Sequence, residues 1–94
     1  MASVYILHSV QLDRFYTGSS KDLSYRIDQH ANKEFLKSFT AKADDWTLFF
    51  FKDDLEFKQA RLIEQHIKEM KSKRYIQNLK AYPEIMEKLM LRYK

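Results

Sequence analysis

Ser3-Val4-Tyr5-Ile6-Leu7-His8-Ser9-Val10-Gln11-Leu12-Asp13-Arg14-Phe15-Tyr16-Thr17-Gly18 holds two apolar runs around a polar break. Val4–Leu7 followed by Val10 is rich in β-branched and aromatic residues and reads as a strand. Gln11–Arg14 is polar enough for a turn. Phe15–Gly18 reads as a short second strand ending at the glycine, so the stretch predicts a hairpin. Tyr5 and Tyr16 then sit in adjacent strands and can face each other. Gly18 is the one glycine in the chain. It is therefore the position where positive φ comes most cheaply.

Working outward, Ser19-Ser20-Lys21-Asp22 offers N-cap candidates for a helix over about Leu23–Ala31. Leu23 and Ile27 share one face of it, with Arg26 and His30 one step round. Asn32–Asp44 has no clear period and reads as a loop. Trp46–Phe51 is the strongest strand signal. It is apolar at nearly every position and is expected to be central and covered on both faces. Asp53-x-x-Glu56 resembles an acidic cap of the capping-box kind. A long helix should follow to about Lys71, with Ala60, Ile63, Ile67 and Met70 as its buried stripe. Lys73–Leu79 predicts a short helix, and Pro83 the first turn of a last one through about Arg92. The expected class is α+β, in the order β-β-α-β-α-α-α.

The chain has 94 residues, one proline and no cysteine. One domain over 1–94 fits that length. Hydrophobic residues at 45% and aromatics at 15% exclude disorder. A single glycine excludes glycine-rich phosphate loops. Without cysteine there is no disulfide, zinc ribbon or thiol nucleophile. The longest apolar run, Leu48–Phe51, is too short to span a bilayer, and nothing resembles a signal peptide. A cytoplasmic protein with no membrane partner is the expectation.

Charge is uneven. Residues 1–50 carry six basic and six acidic side chains, and residues 51–94 carry eleven and seven, so the net +4 lies in the second half. Lys68, Lys71, Lys73, Arg74 and Lys80 are set among Tyr75, Gln77 and Asn78. Such a patch suits a phosphate backbone. A solvated helix face is the commoner reading of charge alone.

Among single residues, Arg26 and His30 lie four apart on a predicted helix and could hold a phosphate and manage a proton; most such pairs are plain surface pairs. Glu64 sits mid-helix beside Ile63, where a partly buried carboxylate can hold a hard cation such as Mg²⁺. Taken alone, a residue so placed is more commonly a solvent-edge group or a partner for Arg61 or Lys68. His8 and His66 look incidental. Ile85, Met86, Leu89, Met90 and Tyr93 could form core or a dimer surface, with a monomer expected.

Taken together, these residues resemble the GIY-YIG nuclease family, in particular its small stand-alone members and the N-terminal catalytic domain of an excision-repair endonuclease. Ser3-Val4-Tyr5 stands where the first triplet belongs, Tyr16-Thr17-Gly18 where the second belongs, and ten residues separate Tyr5 from Tyr16. Asp22–His30 resembles the family helix that carries an arginine and, four later, a His or Tyr. Asp45-Trp46-Thr47-Leu48 resembles the start of its third strand. Ala60–Lys68 resembles the helix with its single metal-binding glutamate. The match covers about residues 3–79, leaving 80–94 as a C-terminal helix. Ser3 replaces the first glycine, Thr17 replaces isoleucine, and Asn32-Lys33-Glu34-Phe35 lacks the glycine of the family's loop.

The resemblance implies a small three-stranded, mainly antiparallel sheet flanked by helices. It also implies a metal-dependent endonuclease that hydrolyses DNA phosphodiester bonds in repair or recombination. The alternative is a non-catalytic or partner-dependent nucleic-acid-binding module. One Mg²⁺ or Mn²⁺ on Glu64 is implied, with Arg26 on the scissile phosphate. Tyr5 takes a proton from water with help from His30, Tyr16 positions the water or a phosphate oxygen, and Gly18 lets the chain turn tightly from strand to helix, leaving the phosphate path open. Lys71, Lys73, Arg74 and Asn78 are the expected substrate contacts, and a partner protein could supply specificity.

Overall fold

The computed structural model describes residues 2–22 and 45–94. The predicted helix over Leu23–Ala31 and the loop after it lie outside the described residues. Strands β1 (Ala2–Ser9), β2 (Arg14–Ser20) and β3 (Thr47–Leu55) are followed by helices α1 (Phe57–Met70), α2 (Lys73–Ala81) and α3 (Pro83–Arg92). The class is α+β, as expected. The sheet runs β2-β1-β3 with both pairs antiparallel.

β1 is the central strand. Ala2 through Leu7 are all buried. The predicted hairpin forms, with Tyr5 opposite Gly18 and Leu7 opposite Tyr16. Its turn is fixed by four hydrogen bonds. Asp13, in the left-handed region at φ 49°, donates its amide to the Val10 carbonyl. Asp45 accepts from the Ser9 hydroxyl at 2.6 Å and from the Gln11 amide at 2.8 Å. Lys73 of α2 donates to the Asp13 carboxylate at 2.9 Å.

β3 is an edge strand of the sheet, which corrects the expectation that Trp46–Phe51 is central. Two bulges explain the error. The β1–β3 register shifts between Ile6 and Leu7, where Phe49 is the extra residue, and again between Ala2 and Val4. The second bulge contains Asp54 at φ 59°. A bulge resets side-chain alternation. Phe49 and Phe50 therefore both pack on the core, whereas Leu48 and Phe51 remain exposed at 40% and 45%. A continuous apolar run here records a bulge and not burial on two faces.

Alternation along β1 sends Ala2, Val4 and Ile6 to the face where α1 packs. They share a cluster with Leu55, Ala60, Ile63, Ile67, Leu79, Met86 and Leu89. Burying each large aliphatic chain there contributes roughly 1.5–3 kcal/mol. Tyr5, Leu7 and Gly18 lie on the opposite face by the same alternation.

α1 starts later than the acidic motif suggests. Asp53 belongs to β3, and Glu56 is the N-cap position without a side-chain cap bond, so no capping box forms. Met70 is 44% exposed and leaves the predicted stripe, because the helix ends there on Lys71 in the left-handed region. Ser72 caps α2 by accepting from the Tyr75 amide at 3.2 Å. Pro83 opens α3, as its fixed φ and missing N–H favour. α3 lays Met86 and Leu89 into the core, with Ile85, Met90 and Tyr93 packed against it.

Candidate functional site at the edge of β2

Among the described residues β2 pairs only with β1, so its other side is an edge beside α1. Tyr5 and Gly18 are directly opposed across the first pair. An added Cβ at Gly18 would lie 2.5 Å from the Tyr5 hydroxyl oxygen and 2.6 Å from Cζ. The Tyr5 ring thus lies over the glycine, and only a residue without a side chain leaves room for it. Gly18 does not have positive φ, and β2 continues past it to Ser20. This corrects the expectation of a tight strand-to-helix turn at Gly18. The residue serves close approach of a phenol.

Glu64 projects from α1 toward β2. It accepts a hydrogen bond from the Ser19 hydroxyl through Oε1. Its Oε2 lies 2.7 Å from the Lys68 ammonium, four residues on. The same ammonium lies 5.8 Å from the centroid of the Tyr16 ring. Tyr16 and Tyr5 share one face of the sheet, and Ser19 and Glu64 share the other. Lys68 reaches round the strand edge between them.

The donor set around Glu64 suits a hard cation. It consists of a carboxylate with one-fifth of its side chain exposed and a neighbouring hydroxyl, both oxygen donors. The Lys68 ammonium already marks a position where positive charge is stable. No group of three His, Cys, Asp or Glu side chains occurs among the described residues. A hard divalent cation can be held by one or two carboxylates, with water and substrate oxygens completing its shell.

Two grooves meet at Lys68. One, of about 520 Å³, runs beside β2 and is lined by Arg14, Tyr16, Lys68, Lys71 and Lys73 among others. It brings together two of the expected substrate contacts, Lys71 and Lys73. Arg74 and Asn78 do not line it; Arg74 is exposed on α2, and the Asn78 carbonyl accepts the Tyr82 amide. The second groove, of about 570 Å³, follows α1 past Phe57, Lys58, Arg61, Glu64 and Lys68. Reading the sequence for charge density missed it. The signal was present in the spacing of Phe57, Arg61, Glu64 and Lys68, which repeats every three or four residues on one helix face.

The histidines that looked incidental have structural partners. His66 Nδ1 and the Tyr93 hydroxyl share a hydrogen bond at 2.8 Å, tying α3 to α1. Burial, then the neighbouring Tyr93, push the Tyr75 phenol above its ordinary pKa. His8 packs on Phe15 at 4.6 Å between ring centroids. Arg26 and His30 lie outside the described residues. No helix among the described residues is long and apolar enough to cross a membrane.

A family model described as the GIY-YIG catalytic domain matches residues 1–79. Neither a curated protein nor a solved structure matches the chain.

Proposed function

Because the chain belongs to the GIY-YIG family, whose domain is a nuclease catalytic domain, we propose that it is a metal-dependent endonuclease hydrolysing DNA phosphodiester bonds. The observation that carries this reading is the set of groups along β2: the Glu64 carboxylate on the Ser19 hydroxyl, Lys68 between Glu64 and Tyr16, and Tyr5 over Gly18. Hydrolysis needs a water oxygen to bond to phosphorus while the bond to the leaving oxygen breaks. It also needs the water's proton removed and the phosphate charge offset.

In this reading Glu64 holds one Mg²⁺ or Mn²⁺. Such an ion, when bound, supplies charge neutralisation at the phosphate and eases departure of the leaving oxygen. Tyr5 takes the proton from water, assisted by His30. Tyr16 orients the water or a phosphate oxygen. Arg26 grips the scissile phosphate, since a guanidinium fork matches two phosphate oxygens. Lys71 and Lys73 bind the flanking backbone, with Arg74 and Asn78 further out. The process served is DNA repair or recombination, with a partner protein setting specificity.

One observation favours the second reading, a nucleic-acid-binding module without turnover. Both Glu64 oxygens are already engaged, by Ser19 and by Lys68, as a purely structural carboxylate would be. Incubation of the protein with nicked, branched and single-stranded DNA separates the two. The nuclease reading predicts cleavage of at least one substrate with Mg²⁺ or Mn²⁺, none with EDTA, and none by Glu64→Gln. Salt-sensitive binding that survives Glu64→Gln, with no cleavage by either protein, establishes the second.

A further inference from the structure

Phe57, the first residue of α1, is 41% exposed and contributes little to the core. The Lys21 ammonium lies 4.9 Å from its ring centroid, and the Arg61 guanidinium carbon lies 5.9 Å from it. Phe57, Arg61, Glu64 and Lys68 form one stripe of the helix, along the groove of about 570 Å³. That groove is lined by three cations, Lys58, Arg61 and Lys68, against one carboxylate, and the carboxylate is Glu64.

An exposed ring flanked by two cations has the chemistry of a nucleotide site. A π face accepts a base of any identity, and ammonium and guanidinium groups accept the phosphates on either side. We propose that Phe57, with Lys21 and Arg61, stacks an unpaired base of the DNA strand that passes Glu64. The identity of that strand rests on the nuclease reading. Glu64 follows Phe57 by seven positions of the helix, about 10 Å along the axis. That is about three nucleotides at the stacked spacing of 3.4 Å, and fewer in an extended strand. A paired base has its faces covered by its neighbours in the duplex. The site therefore selects DNA with an unpaired base beside the cut, as in a flap or a fork. Lys68 lines both grooves, so the strand can continue from the α1 stripe to Lys71 and Lys73 beside β2. An acidic peptide would satisfy the cations but leave the ring without a stacking partner.

The test is a duplex with a single-stranded arm, carrying 2-aminopurine at successive positions of the arm, titrated in EDTA so that nothing is cut. The wild type should quench the probe at one or two positions. Phe57→Leu should lose that quenching and bind the arm about tenfold more weakly. Phe57→Tyr should restore both, and all three proteins should bind a fully paired duplex alike. Wild-type quenching and affinity in Phe57→Leu would overturn the proposal. So would an equal loss on the arm and the duplex, or polyglutamate competing as well as the oligonucleotide. Stacking without cleavage in Mg²⁺ or Mn²⁺ would refute the nuclease reading alone. Cleavage without Phe57-dependent stacking would refute the stacking site alone.

Discussion

Gly18 and Tyr5 are coupled by a contact too close for any other residue. Gly18→Ala places a methyl group 2.5 Å from the Tyr5 oxygen and should cost about 1–3 kcal/mol by overpacking. Denaturant unfolding of Gly18→Ala, Tyr5→Ala and the double variant should show strong non-additivity, because removing the ring removes the clash. Additive losses would mean that the ring does not lie over the glycine. The sequence singled out this glycine correctly and misjudged its purpose, because the reason lies across the strand pair and not in the local backbone. Asp45 gives a second test. The Ser9 hydroxyl, then the Gln11 amide, hold its carboxyl below its ordinary value of 3.8. A depressed folded-state pKa contributes stability above that value, and the contribution fades as pH falls through the lower one. The denaturant midpoint should therefore drop on acidification below about pH 4. Asp45→Asn should be less stable at neutral pH and show a shallower acid loss over the same window.

Helix α1 carries Glu64, and its ends define the ends of the candidate site. Lys71 closes the helix in the left-handed region, φ 48° and ψ 39°, a conformation that favours glycine. Lys71→Gly should raise the unfolding free energy by about 0.5–1 kcal/mol while weakening DNA binding through the lost cation. A destabilised Lys71→Gly would contradict the cap geometry. The helices α1, α2 and α3 were legible because each buries a periodic stripe and each boundary has a local signal, as Ser72 and Pro83 show. β1 and β2 were legible from apolar runs around a polar turn. The edge position of β3 was hidden, because its two bulges break the alternation that marks an exposed face. The start of α1 was misplaced for a related reason: Asp53 and Glu56 have capping spacing, but the second bulge carries the strand through Asp53 and Asp54. At the candidate site the sequence pointed to Tyr5, Tyr16 and Glu64, and the structure sets Glu64 and Tyr16 on either side of Lys68. The Glu64–Lys68 pair was within reach of helical spacing, but the approach of Lys68 to Tyr16, and Ser19 as a partner of Glu64, depend on packing of α1 beside β2, which no local pattern encodes.

The molecule concentrates its excess positive charge in its second half, and the two grooves beside α1 give that charge a shape. Electrostatic binding to DNA should therefore fall steeply with salt. Replacing Lys71 and Lys73 together by Gln should reduce the slope of log affinity against log salt by about 2, as expected for two lost phosphate contacts. Arg74→Gln, outside the groove, should change it less than either single lysine. The sheet supplies the rigid floor: β1 is buried from Ala2 through Leu7, and α1, α2 and α3 close one face over Val4, Ile6 and Leu55. On that floor the Glu64 carboxylate stands beside Ser19 and Lys68. Glu64→Gln removes an ion pair with a half-exposed lysine and keeps an acceptor for Ser19, so its stability cost should stay below about 1 kcal/mol. The decisive measurement is single-turnover cleavage of a branched DNA in Mn²⁺ by the wild type and by Glu64→Gln, with unfolding midpoints recorded in parallel. Glu64→Gln should lose about a hundredfold or more of the cleavage rate at nearly unchanged stability; cleavage by Glu64→Gln at the wild-type rate would contradict a catalytic metal on Glu64.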